Sequence, residues 1–136
     1  MGKVQQLYWI GLIFLFSFCT LTNDGKNTQD INAVVGTWYW KESKGGIGGS
    51  EIITPKSTGV HKKLVFAANK KVTVFTNGIE TGSYTYTIKR GNSFIDDKEH
   101  YLLTFSEMSY VIQYIDKQYL SIQDNFVDGY VLTYAK

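Results

Sequence analysis

The stretch TGSYTYTIKR, residues 81–90, alternates almost without interruption: Tyr84, Tyr86 and Ile88 share one parity, while Thr81, Ser83, Thr85, Thr87 and Lys89 share the other. A strand sends successive side chains to opposite faces, so a period of two describes an extended segment with an apolar inside and a polar outside. A surface helix would need apolar residues at i, i+3, i+4 and i+7. From Ile31 onward no window keeps that spacing for three turns.

The same parity recurs on both sides of this stretch. Leu64 pairs in parity with Phe66, Val72 with Val74, and Leu120 with Ile122; longer rows are Tyr101, Leu103, Phe105, then Tyr110, Ile112, Tyr114, then Tyr130, Leu132, Tyr134. The pattern predicts strands over 34–43, 61–68, 71–77, 79–90, 100–106, 108–115, 118–123 and 129–135. Most gaps are short turns, among them Asn77-Gly78, and short gaps force sequence neighbours to pair antiparallel. Eight such strands make a meander, and curling it until first meets last removes the raw edges. Leu102, Val111 and Val131 fall on the outer face and call for a cover, either the segment before the domain or a partner.

Composition agrees with one small domain. The chain has 136 residues, 43% of them apolar, and an aromatic share of 15% carried mainly by 10 Tyr and 8 Phe, a bias that favours strands. Fourteen basic and twelve acidic side chains leave a formal charge of only +2, and the lysines are scattered. Such a surface does not track a phosphate backbone, so nucleic acid is not an expected partner.

Residues 1–19, MGKVQQLYWIGLIFLFSFC, place one cation at Lys3 before an apolar run from Leu7 to Phe18. That run falls short of the roughly 20 residues needed to span a bilayer, so residues 1–18 read as an export signal. The run ends at Cys19, the only cysteine, which has no partner for an intramolecular disulfide. LFSFC resembles a bacterial lipoprotein box, which implies a lipid anchor on Cys19. Residues 19–30 are polar and aperiodic and read as a flexible tether, leaving 31–136 as the domain.

In VVGTWYWKESKGG, residues 34–46, Gly36, Trp38 and Trp40 share one face of the first strand. Two indoles there form either the floor of a core or the wall of a ligand site. With the Gly36-Thr37-Trp38 start, the glycines and Thr54-Pro55 of a long first connection, the closing DGYVLTYAK and the meander, the chain resembles the lipocalin-like (calycin) small lipoproteins of Bacteroidetes type. The resemblance covers nearly all of residues 31–136. It implies an all-β, eight-stranded antiparallel up-and-down barrel. It also implies structural roles for Gly36 and Trp38, with Lys136 packed over Trp38, and an open mouth for a small, largely hydrophobic ligand. GTWY also opens streptavidin-type barrels, but no Trp follows Trp40 here.

The residues nominated to line the mouth are Trp40, Tyr84, Tyr86, Tyr101, Tyr110 and Tyr114, with residues 44–60 as a lid whose apolar underside is Ile47, Ile52 and Ile53. His61 and His100 lack metal-ligand spacing and read as exposed strand-end residues. Asp96, Asp97 and Glu99 lie in a turn with Lys98 and read as solvated. The Asp124–Gly129 stretch reads as an Asx-type hairpin turn rather than a calcium loop. No catalytic residues, metal site or cofactor are expected, and the chain does not read as an enzyme. The expectation is a lipid-anchored protein of the cell envelope, placed at the outer membrane, holding a small hydrophobic ligand. The alternative is a filled barrel acting on an envelope protein partner as an interaction or inhibitor module.

Overall fold

The computed structural model describes residues 29–136; the expected signal, Cys19 and most of the tether lie outside the described residues. After a single 3-10 turn, Ile31–Val34, come β1 (Gly36–Gly45), β2 (Glu51–Ile53), the one-turn helix α1 (Pro55–Thr58), β3 (Lys62–Phe66), β4 (Lys71–Thr76) and β5 (Ile79–Thr85). The chain continues through β6 (Thr87–Asn92), β7 (Glu99–Phe105), β8 (Met108–Ile115), β9 (Tyr119–Asp124) and β10 (Tyr130–Ala135). All strands join one antiparallel sheet in the order β5-β4-β3-β1-β10-β9-β8-β7-β6, with β2 added on β1.

The first and last strands pair, from Tyr39 opposite Ala135 to Gly45 opposite Tyr130, so the sheet curls round. The two ends of the path, β5 and β6, are consecutive in the chain. Residues 79–90, one strand by sequence pattern, divide at Tyr86: the first half pairs with β4 and the second with β7. Tyr86 donates its N–H to Lys70 O at 2.8 Å, outside either ladder. The result is an up-and-down half-barrel in which a shared, divided strand links the two edges.

Three β-bulges set which side chains face inward. Lys41 is the extra residue of β1 opposite β10, Thr81 that of β5 opposite β4, and Gln113 that of β8 opposite β9. An extra residue shifts the alternation by one, and every side chain beyond it changes face. Gln113 therefore overturns the expected row of β8. Ile115, not Tyr114, enters the core; Tyr114 is 43% exposed and its hydroxyl donates to Asp116 Oδ2 at 2.6 Å.

The interior is a continuous cluster from Val34 and Trp38 through Leu64, Phe66, Val72, Tyr86, Leu103 and Phe105 to Ile112, Ile115, Leu120, Ile122 and Tyr134. Its centre is aromatic: Phe66 meets Tyr86 edge-on at 5.0 Å between centroids and Phe105 at 6.2 Å. Trp38, fully buried, floors one end and donates its indole N–H to Val34 O at 2.6 Å. Lys136 closes that end from outside. Its ammonium lies 4.7 Å from the centre of the Trp38 ring and donates to Ala33 O and Val35 O, both at 3.1 Å. Gly36 must be glycine here, because φ is +133° and a Cβ would meet the Lys136 side chain at 3.1 Å.

A candidate ligand cleft at the open end

The other end of the half-barrel holds a cleft of about 330 Å³. Its origin lies in β1, where Trp38 and Trp40 fill the lower interior. After the Lys41 bulge the inward positions pass to Ser43 and Gly45, opposite Leu132 and Tyr130. Bulky residues give way to small ones along a single strand, and space opens above Trp40. The indole N–H of Trp40 donates to Ser43 Oγ at 3.0 Å, which satisfies a buried donor and fixes the ring as the cleft floor.

The first connection forms a roof. Beyond Gly45 the chain turns and β2 pairs back on β1, Ser43 opposite Ile53. Thr54 then caps α1: its hydroxyl accepts from Ser57 N–H at 3.1 Å while Ser57 Oγ accepts from Thr54 N–H at 3.0 Å. Pro55 occupies the first turn, and Gly59 ends the helix in the left-handed region. The expected apolar underside is only partly realised. Ile53 faces the cleft, whereas Ile52, its neighbour on the alternating strand β2, and Ile47, in the turn before that strand, are exposed.

The walls are Trp40, Ile53, Val60 and Leu132 on the apolar side, with Ser43, Thr58, Lys62, Asp124 and Tyr130 supplying polar groups. The ammonium of Lys62 sits 5.1 Å from the centre of the Trp40 ring. Asp124 Oδ2 accepts from Tyr130 N–H at 2.9 Å, and the Tyr130 hydroxyl donates to the Glu51 carboxylate, tying β10 to the roof. Burial, then the nearby Tyr110 and Asp124, push the Tyr134 phenol well above its ordinary range; burial and Asp124 push Tyr110 the same way. A concave apolar pocket with a few convergent polar groups is the usual form of a small-molecule site, and its volume is at the lower end of the common range of about 300–1,000 Å³.

No known protein family, curated protein or solved structure matches this chain.

Of the six residues nominated from sequence to line the mouth, only Trp40 lines the cleft; Ile53 of the nominated lid joins it. Tyr84, Tyr86 and Tyr110 do face inward, but they fill the interior instead. Tyr110 stacks on Phe105 at 5.4 Å and Tyr84 tilts against it at 6.4 Å, while Tyr86 donates its hydroxyl to Ala67 O at 3.3 Å. Tyr101 packs against the core under the Arg90 guanidinium, 5.0 Å away, beside a separate polar hollow formed with Gln29, Glu99 and His100. Tyr114 is outside, for the reason given above. Sequence reading names Ile53 and the 44–60 segment that holds Thr58 and Val60 only as a lid, and misses Ser43, Lys62, Asp124, Tyr130 and Leu132, because a bulge and a returning strand, neither visible in the pattern, bring them together.

Two further placements correct expectations. Asp96 is not simply solvated: Ser93 Oγ lies 2.5 Å from its carboxylate, His100 Nε2 2.9 Å and Lys98 N–H 3.1 Å, and these contacts, the Ser93 hydroxyl foremost, hold it well below the usual carboxylate range. His100 is therefore a bridged residue, not a free strand end. On the outer face Leu102 stands opposite Val111, and Val111 and Val131 both stand opposite Gln123. The trio thus shares one transverse row, but Val111 is 1% exposed, so the row is not an open patch.

Proposed function

We propose that this is a lipocalin-like, eight-stranded barrel of the cell envelope, anchored through Cys19. Its role is to hold a small, largely hydrophobic ligand in the cleft above Trp40. The observation that carries this reading is the change along β1 from Trp38 and Trp40 to Ser43 and Gly45, which leaves a roofed hollow with an apolar floor inside a tightly packed sheet. A cleft of this size admits one small molecule rather than a long chain. Trp40, Ile53, Val60 and Leu132 contact its apolar body; Lys62, Ser43 and Asp124 orient a polar end. The role is binding rather than catalysis.

The test is native mass spectrometry of the full chain, followed by thermal shift against a panel of small apolar and amphiphilic compounds. A true ligand at a hundredfold excess over its Kd stabilises by about 2.7 kcal/mol. Val60→Trp places an indole in the hollow and is expected to abolish that shift while preserving the far-ultraviolet spectrum. A shift of equal size in wild type and V60W would place binding elsewhere and refute the cleft.

A further inference from the structure

The connections at the open end carry exposed apolar side chains that neither the core nor the cleft uses. Strand pairing puts the β1–β2, β4–β5, β7–β8 and β9–β10 connections at one end of the sheet. At their tips are Ile47, 97% exposed, Ile79, and the Phe126-Val127 pair, Val127 being 73% exposed. Phe94, 79% exposed, belongs to the β6–β7 connection, which strand pairing puts at the opposite end, but its N–H donates to Asn125 Oδ1 at 2.8 Å beside the β9–β10 connection. Ile52 continues the ring on the outer face of the roof. Of the connections that strand pairing puts at the opposite end, β3–β4 (Ala67-Ala68-Asn69-Lys70) and β8–β9 (Asp116-Lys117-Gln118) carry no large apolar side chain, while β6–β7 carries Phe94 and Ile95.

We propose that this apolar rim docks on a lipid bilayer surface, its tips entering the headgroup region with the cleft opening toward the membrane. Three features favour lipid over a protein partner. The apolar side chains are spread over several connections around an opening, two of these connections carrying more than one, and do not form one flat patch. A protein interface needs a contiguous, complementary core, whereas a fluid interface takes up each tip independently. Charge at this end is net acidic: Lys44 is paired with Glu42 at 3.1 Å, and Lys56 and Lys62 stand against Glu51, Glu80, Glu107, Asp124 and Asp128. Docking is therefore apolar, with no demand for anionic lipid.

The third feature is reach. Gln29 is held at mid-sheet, where its side-chain amide donates to Gln113 O at 3.0 Å. From Gln113 to Met108, at the rim end of β8, is five residues of strand, about 17 Å. Ten residues separate Cys19 from Gln29, and they span up to about 33 Å when extended. An anchor at Cys19 therefore permits the rim to face the bilayer. The inference does not depend on what the cleft holds.

Because an apolar N-terminus brings the full chain to a membrane in any orientation, the readout is which end meets lipid. In a Cys19→Ser background, single cysteines at Ile47, Val127 or, at the opposite end, Lys117 carry an environment-sensitive fluorophore. The full chain is reconstituted with neutral phosphatidylcholine vesicles. The labels at 47 and 127 are expected to shift to the blue and to be quenched several-fold more by bilayer-embedded nitroxide lipids than the label at 117, at low and high salt alike. Serine at both Phe126 and Ile79 should reduce that difference without altering the thermal midpoint. Rim labels as wet as the label at 117 would overturn the proposal and direct the rim to a protein partner. Because no ligand is added, this outcome is separate from failure of the cleft reading.

Discussion

Replacing Lys136 with methionine removes the clamp on the floor of the half-barrel while keeping an unbranched side chain over Trp38. The ammonium donates to Ala33 O and Val35 O and lies 4.7 Å from the centre of the indole ring. Each bond from a charged donor at this partly exposed position contributes about 1 kcal/mol net, and the cation–π contact about 0.5–1 kcal/mol. Ordering a long lysine opposes these by about 1 kcal/mol or more. The expected loss is therefore about 1.5–2 kcal/mol, or roughly 8–10 °C in the thermal midpoint of a domain this small.

The assay is urea unfolding followed by near-ultraviolet dichroism, which reports the packing of Trp38, with equal m-values required for the comparison. Lys136→Arg should retain most of the stability, since guanidinium stacks on an indole at least as well as an ammonium does. In a double-mutant cycle with Trp38→Phe, a coupling of about 0.5 kcal/mol or more is expected if the cation and the ring act together. A loss below about 0.5 kcal/mol for K136M would refute the clamp. The contacts at the start of β1 would then be packing neighbours and not a fastening.

The β8 bulge predicts opposite outcomes for adjacent residues: Ile115→Ala should cost about 2–4 kcal/mol as a core truncation, and Tyr114→Ser less than about 1 kcal/mol, both read by chemical denaturation. At Gly45 a Cβ would stand 2.6 Å from Gly129 O, while at Gly48 it would meet nothing within 4 Å; Gly45→Ala should therefore be at least about 2 kcal/mol more damaging than Gly48→Ala in thermal unfolding. Burial raises the Tyr134 phenol in the folded state, so its contribution is complete below the unfolded value near pH 10 and is lost as pH rises beyond it; Tyr134→Phe should flatten the alkaline limb of a stability–pH curve. Asp96 has the opposite sign: its lowered value in the folded state gives a contribution present above about pH 4 and lost on acidification. Asp96→Asn should make the acid limb shallower, and an unchanged limb would show that the Ser93–Asp96–His100 contacts do not persist in solution.

Strand content and meander order were legible in the sequence because each strand has one buried face. Alternation such as Tyr84, Tyr86, Ile88 against Thr85, Thr87, Lys89 is a direct trace of that burial, and the β1–β10 pairing follows from curling such a meander. The site was much less legible. A residue inserted into a ladder leaves no mark on the alternation of its own strand until the partner's register is known, so Gln113 and Lys41 were invisible and Tyr114 was placed on the wrong face. Glu51-Ile52-Ile53 is too short to show a period, which hid the strand that roofs the cleft. Lys62 and Asp124 are charged strand-end residues, and nothing local separates them from solvated ones. Only the fold brings them to one opening.

The nominated tyrosines and the actual cleft stand in a definite physical relation. A small sheet curled round so that its first and last strands pair has an interior that side chains largely fill. Tyr84, Tyr86 and Tyr110, packed against Phe66 and Phe105, occupy that volume and stiffen one part of it. A hollow can then persist only where an inward position is given to a small residue and the neighbours are too rigid to collapse into it. The Lys41 bulge does this at Ser43: it turns inward, in place of Glu42, a serine whose hydroxyl holds the Trp40 ring in place. The Tyr130–Glu51 contact meanwhile holds the roof off the floor. The aromatic row thus supports the hollow and does not line it, and changes that loosen it should weaken the binding proposed for the cleft by letting the hollow relax.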